Sequence, residues 1–131
     1  MSQSYRRTNT TVSLINYHFI WIPRRRRKVL VGDVKKRVSE LIYEKTAELG
    51  CKVVSLAVEP DHIHLFLNCP PDIAPKQIMH RVKGYSSYVL RKEFSHLKKM
   101  PSMWTRSYFV STAGNVSSDT IEKYIAAQGK D

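Results

Sequence analysis

Two hydrophobic periods organise this chain. Residues 14–22 are rich in β-branched and aromatic side chains, which predicts a first strand, and Pro23 stops it. Over 33–49 the apolar positions Val34, Val38, Leu41, Ile42 and Leu49 follow helical spacing, with Gly50 as the C-terminal stop. Residues 52–59 read as a second strand and 62–68 as a third, joined by a tight turn at Pro60 and Asp61. The third strand alternates most clearly. Side chains on a strand switch faces at each residue, so Ile63, Leu65 and Leu67 project from one side and His62, His64 and Phe66 from the other. Pro70 and Pro71 end that segment. Pro75 opens a second long helix whose apolar stripe is Ile78, Val82, Tyr85, Val89 and Phe94. Residues 103–112, carrying Trp104, Tyr108 and Phe109, predict a fourth strand, and Gly114 and Asn115 turn the chain into a short final helix. Ser117, Ser118 and Asp119 are its candidate N-caps, Asp119 and Glu122 form a capping-box-like pair, and Gly129 is the stop.

The predicted order is β, α, β, β, α, β and a closing α. That is an α+β class fold of the split βαβ, ferredoxin-like (RRM-like) type, βαββαβ, with an appended C-terminal helix. In that architecture an antiparallel sheet carries both long helices on one face. Ile63, Leu65 and Leu67 then meet the helices, and His62, His64 and Phe66 look out from the open face. With 131 residues, no internal repeat and no low-complexity tract, residues 1–131 form one domain with a core of ordinary size.

Charge narrows the partners. There are 22 Lys and Arg against 11 Asp and Glu, a formal charge of +11, which suits a polyanion such as nucleic acid or an anionic membrane surface. No apolar run approaches the roughly 20 residues that span a bilayer, and the polar start over 1–11 lacks the apolar stretch of a signal peptide. A cytoplasmic protein without membrane association is expected. Cys51 and Cys69 have neither zinc-finger nor redox-motif spacing and read as buried thiols, although the hairpin sets them nearly opposite each other, where a disulfide is geometrically possible.

Candidate chemistry lies in three places. His62 and His64, one pleat repeat apart, can hold a divalent ion if a third group arrives from elsewhere; exposed histidines on a half-buried strand are the plainer reading. Tyr124 and Gln128 stand at i and i+4 on the final helix and share a face, where the plainer reading packs Tyr124 beside Ile121. Arg24, Arg25, Arg26, Arg27 and Lys28 follow the first strand directly, either as a solvated loop or as phosphate contacts. Arg81, Lys83, Arg91 and Lys92 add positive charge along the second long helix, Arg81 and Lys83 being further candidate DNA contacts. His80 and His96 fit no pattern and read as surface residues.

Several separated segments converge on one family. Pro60, Asp61, His62, Ile63, His64, Leu65 and Phe66 form one motif. Tyr108, Phe109, Val110, Ser111 and Thr112 followed by Gly114 form a second, and Tyr124, Ile125 and Gln128 a third. Tyr17 and His18 with the basic stretch after them complete the set. Together they resemble the single-tyrosine HUH transposases of the insertion-sequence 200/605 type, in which U is a bulky hydrophobic residue, and the resemblance covers nearly the whole chain.

The resemblance implies transesterification of single-stranded DNA at transposon ends, with recognition of DNA hairpins. By matching, His62, His64 and Gln128 bind a divalent metal, Mg²⁺ or Mn²⁺, and Tyr124 on the appended helix is the catalytic nucleophile that forms a 5′-phosphotyrosine. Asp61 either shapes the turn or bends its carboxylate toward the ion as a further ligand. The family's members are homodimers in which the tyrosine helix can complete the partner's site in trans. Two rivals stand beside this reading. One is a non-catalytic RRM-like nucleic-acid-binding module, although no RNP1-like run is present; the other is a metal-dependent phosphodiesterase in which Tyr124 is structural.

Overall fold

The structure, a computed structural model, describes residues 3–112 and 117–128. The turn expected at Gly114 and Asn115 and the stop at Gly129 lie outside the described residues. A short ribbon, β1 (Arg6–Arg7) and β2 (Val12–Ser13), leads into β3 (Ile15–Trp21). Then follow α1 (Gly32–Glu48), β4 (Lys52–Glu59), β5 (His62–Cys69), α2 (Pro75–Glu93), β6 (Phe109–Ser111) and α3 (Ser118–Gln128). Antiparallel pairing sets the sheet in the order β4-β5-β3-β6. No helix among the described residues is long and apolar enough to cross a membrane.

One face of the sheet makes the main core. Phe19 and Trp21 of β3 and Ile63, Leu65 and Leu67 of β5 are wholly buried, together with Val38, Leu41 and Ile42 of α1 and Ile78, Met79, Val82 and Leu90 of α2. The buried stripe of α2 includes Ser86, while Tyr85, Val89 and Phe94 sit half-buried at its margin. Ser86 tolerates burial because its hydroxyl donates to the Val82 carbonyl at 2.7 Å and accepts from Trp104 Nε1 at 3.1 Å. Gly50, at φ +79°, closes α1 in the left-handed region that favours glycine. Cys51 and Cys69 are buried free thiols.

Two expectations change. The fourth strand, expected over 103–112, contracts to Phe109–Ser111. Upstream only an isolated bridge joins Pro23 to Trp104, since proline has no N–H to continue a ladder. The carbonyls of Thr105, Arg106 and Ser107 instead accept from Lys83 Nζ at 2.7, 3.2 and 3.1 Å, which draws that segment toward α2. The second change concerns the open face. Ile20, Ile22 and Ile125 are fully buried yet lie outside the main core, and Phe109, the cross-strand neighbour of Ile20, has its ring 6.0 Å from that of Tyr124. Helix α3 therefore covers the β3–β6 half of the second face, leaving the β4–β5 half uncovered. Its N-cap is Ser117, whose Oγ accepts from the Thr120 amide at 3.1 Å. Asp119 pairs with Lys123 at 3.1 Å rather than with the helix start.

Candidate active site

The two-residue turn between β4 and β5 places Asp61 directly before the paired imidazoles. Its Oδ1 lies 2.8 Å from His62 Nδ1, and its Oδ2 accepts from Arg26 Nε at 2.8 Å. Burial works to raise the Asp61 carboxyl, but hydrogen bonds from His62 and Arg26 outweigh it and hold the group below its ordinary value. An ionised carboxylate only accepts, so a proton sits on His62 Nδ1, and Nε2 is the ring position that can bind an ion. His64 stands beside it with ring centroids 4.9 Å apart. Burial first, then the neighbouring His62 and His18, push its imidazole down to about 4, partly offset by Glu59, so it is neutral at physiological pH. A neutral His64 beside a His62 whose Nδ1 is engaged by a carboxylate suits a divalent ion.

The cationic run divides by backbone conformation. Arg25 and Arg26 both adopt φ +56°, a left-handed conformation that is rare for arginine and costs on the order of 1–2 kcal/mol per residue. That turn aims Arg26 at Asp61, and its guanidinium also approaches Glu122 of α3 at 3.9 Å. Arg24 donates to Ser102 Oγ at 3.2 Å. Arg25, Arg27 and Lys28 are exposed. The five adjacent cations thus split into anchors, Arg24 and Arg26, and a solvent-facing group of three.

Helix α3 presents Tyr124 and Gln128 on one face, as their spacing requires, but to a different partner. Ser107 Oγ donates to Gln128 Oε1 at 2.8 Å and lies 3.2 Å from Tyr124 Oη, so a single hydroxyl joins both side chains. Ser107 precedes β6, which is separated from β5 by β3. With strands about 4.8 Å apart, the backbones of β5 and β6 run roughly 10 Å from one another, and Arg26 reaches from Asp61 to Glu122 of α3 between them. The two pairs share a sheet face. Among the described residues no group of three or more His, Cys, Asp or Glu side chains gathers to hold a metal. Asp61, considered as a ligand, engages both oxygens elsewhere and acts as the orienting partner of His62.

Two predicted DNA contacts fall away from this face. Lys83 is half-buried, bonds three carbonyls, and is lowered to about 8 by burial. Arg81 projects from the helical layer, 3.4 Å from Glu48 of α1. Sequence reasoning assigned no role to His18, although its parity with Ile20 on β3 sets it on the same face as His64. Its ring lies 5.8 Å from that of His64, and burial lowers its imidazole.

Comparison with known proteins agrees with this geometry. Residues 11–128 match the family described as Transposase IS200 like. The ISDra2 transposase TnpA of Deinococcus radiodurans is 31% identical over 117 residues, covering 87% of this chain and 84% of that protein. The transposase for insertion sequence element IS200 of Salmonella typhimurium is 29% identical over 115 residues, covering 86% of this chain and 75% of its own length. In structure, a crystallised Deinococcus radiodurans protein described as a transposase superposes with a TM-score of 0.87 at 29% identity, covering 94% of this chain and 97% of that one. A REP-associated tyrosine transposase, solved bound to a REP hairpin, shares the fold with a TM-score of 0.57 at 18% identity, covering 98% of this chain and 68% of its own. The chain belongs to the IS200-like transposases, the insertion-sequence 200/605 group that its HUH strand and tyrosine helix resemble.

Proposed function

We propose that this transposase cleaves and rejoins single-stranded DNA at the ends of a mobile element through a 5′-phosphotyrosine on Tyr124. The observation that carries the reading is the imidazole pair: His62 fixed by Asp61 and His64 held neutral, on the sheet face that also bears Tyr124 and Gln128. A divalent ion, Mg²⁺ or Mn²⁺, would be held by His62, His64 and Gln128 and would supply charge stabilisation at the scissile phosphate. The two imidazoles fit such an ion as they stand. The Gln128 amide oxygen accepts from Ser107 and keeps a second lone pair for such an ion.

The chain's own residues account for the rest. Tyr124 attacks phosphorus, so that a Tyr Oη–P bond forms and the P–O3′ bond breaks. The phenol loses a proton and the departing 3′-oxygen gains one. The ester energy is retained in the phosphotyrosine, and a 3′-hydroxyl reverses the step without a nucleotide cofactor. Exposed Arg25, Arg27 and Lys28 contact DNA phosphates. A hairpin is the proposed substrate form, as in the REP-hairpin complex of the structural neighbour. The reading includes a homodimer in which α3 reaches the partner's imidazoles.

The test is incubation with hairpin-bearing single-stranded oligonucleotides and Mn²⁺, followed by a denaturing gel. A covalent protein–DNA adduct is expected from the wild type and none from Tyr124→Phe, with hairpin binding retained. An adduct that survives Tyr124→Phe overturns the assignment of the nucleophile.

A further inference from the structure

The turn that carries Arg26 runs against the backbone preference of its own residues. Arg25 and Arg26 both sit at φ +56°, and such strain persists only where the surroundings over-determine it. Here the loop is clamped on both sides. The Arg24 amide donates to the Met103 carbonyl at 3.0 Å and the Arg26 amide to the Pro23 carbonyl at 2.9 Å, while the Leu30 amide donates to the Pro60 carbonyl at 3.1 Å. That last bond joins the basic loop to the turn preceding the histidines, and Leu30 is wholly buried. Arg26 thus reaches Asp61 from a fixed loop.

What it does there differs from an ordinary surface ion pair. The side chains of Asp61 and His62 are only 13% and 14% exposed. A guanidinium can take both oxygens of a carboxylate with parallel N–H bonds, but Arg26 donates through Nε alone, to Oδ2 at 2.8 Å. Oδ1 is left to His62 Nδ1, also at 2.8 Å. The terminal torsion of an aspartate is soft, so a carboxylate held at one oxygen can turn about its axis. Held at both it cannot, and the imidazole bonded to it is fixed as well. His64 takes its orientation from rings instead, those of His62 and His18 at 4.9 and 5.8 Å.

We propose that Arg26 is a positioning residue for the metal half-site: through Asp61 it fixes the His62 ring so that Nε2 is presented to the divalent ion. The role of His62 as a ligand rests on the function proposed above. Arg26 acts only through Asp61. Its backbone agrees with this, since glycine or asparagine takes φ +56° more readily, and arginine is therefore there for its side chain. The proposal also carries a sign that separates it from plain electrostatics. Removing a positive charge near a cation site strengthens the binding of a dication, whereas loosening the ring of a ligand weakens it. Outer partners of ligating side chains are typically worth about 10- to 100-fold in metal affinity.

The experiment measures Mn²⁺ affinity without DNA, from the electron paramagnetic resonance of the free ion, on wild type, His62→Ala, Arg26→Gly, Arg26→Lys, Asp61→Ala and the double variant Arg26→Gly, Asp61→Ala. Glycine removes the side chain and relieves the left-handed backbone, so Arg26→Gly should keep a cooperative thermal transition; if it does not fold, Arg26→Gln replaces it under the same criteria. Its Mn²⁺ dissociation constant is expected to rise about tenfold or more. Arg26→Lys, which keeps a charged donor, should fall between it and wild type. The double variant should bind Mn²⁺ no more weakly than Asp61→Ala alone, because the arginine has no other route to the ion. In the metal-free protein the hydrogen-bonded Nδ1–H of His62 should give a resolved proton resonance that is lost in Arg26→Gly. Unchanged or tighter Mn²⁺ binding by Arg26→Gly overturns the proposal, as does further weakening in the double variant, a retained Nδ1–H resonance, or a Mn²⁺ affinity that His62→Ala leaves unaltered. The two readings fail separately. Absence of a covalent adduct on every hairpin removes the strand-transfer chemistry but leaves an Arg26-dependent Mn²⁺ affinity standing, whereas an adduct with Arg26-independent Mn²⁺ affinity removes only the positioning role.

Discussion

Replacing Ser107 with alanine should release the tyrosine helix. The Ser107 hydroxyl joins Gln128 Oε1 at 2.8 Å and Tyr124 Oη at 3.2 Å, and alanine removes both hydrogen bonds with little change in volume. Two hydrogen bonds at about 1 kcal/mol net each give roughly 2 kcal/mol. Tyr124 and Gln128 are only half-buried, so water replaces part of that stabilisation, and about 1 kcal/mol is the lower bound. Among the described residues α3 is also held by Ile125, whose full burial contributes about 2–3 kcal/mol, and by the ring of Tyr124 against Phe109. The Arg26–Glu122 pair, at 3.9 Å with side chains 40% and 66% exposed, adds little. Removal of the Ser107 hydroxyl should therefore raise the undocked population by about 5- to 30-fold.

Amide hydrogen exchange over residues 117–128 reads that population directly, and protection should fall by the same factor. If undocking precedes cleavage, adduct formation on a hairpin substrate should accelerate in parallel until the undocked form dominates. Unchanged exchange would refute the view that Ser107 holds the helix in place. A slower cleavage rate with unchanged exchange would assign Ser107 to the assembled active site instead.

Other consequences are equally measurable. His62→Ala or His64→Ala should abolish Mn²⁺-dependent adduct formation with hairpin binding within about twofold of wild type, whereas Gln128→Ala should only raise the Mn²⁺ concentration needed, as water can replace a neutral amide. Wild-type behaviour of Gln128→Ala at limiting Mn²⁺ would remove it from the ligand set. The triple substitution of Arg25, Arg27 and Lys28 by alanine should make the slope of log affinity against log salt shallower by roughly 0.7–0.9 for each phosphate no longer neutralised, while an unchanged slope would move the DNA surface elsewhere. Lys83→Met should leave that slope untouched but lower unfolding free energy by about 2–4 kcal/mol, because three carbonyls are deprived of a charged donor. Urea denaturation distinguishes this from a DNA-contact role, in which stability would hold and the slope would change.

Much of this fold is written in local pattern. The alternation of β5 survives because a hairpin strand with one buried face cannot slip by one residue without exposing Ile63, Leu65 and Leu67. The i and i+4 placement of Tyr124 and Gln128 likewise dictates that one hydroxyl can meet both. What local pattern does not carry is the partner. Arg24 to Lys28 are chemically alike, and their division into anchors and exposed cations follows from two left-handed residues and from Asp61, 35 positions away from Arg26. Lys83 reads as surface charge until the chain returns 22 residues later with the Thr105 carbonyl turned toward it.

The covered half of the second face did leave a signal. Phe19, Ile20, Trp21 and Ile22 are apolar at both parities, and all four have no exposed surface. A strand with one solvated face has no use for that pattern, whereas a strand buried on both faces requires it. Residues 62–66 lack it, since His62, His64 and Phe66 alternate with the buried positions. Between them the two strands mark where α3 must rest and where the sheet must stay accessible. The boundary runs between Ile20 and His64, which are paired across the sheet. A helix anchored by Ile125 over the apolar side of that boundary keeps Tyr124 beside β6 and leaves the imidazoles open to DNA. The same pattern that stabilises the chain thus sets Tyr124, the proposed nucleophile, over one half of the face and the imidazoles on the other.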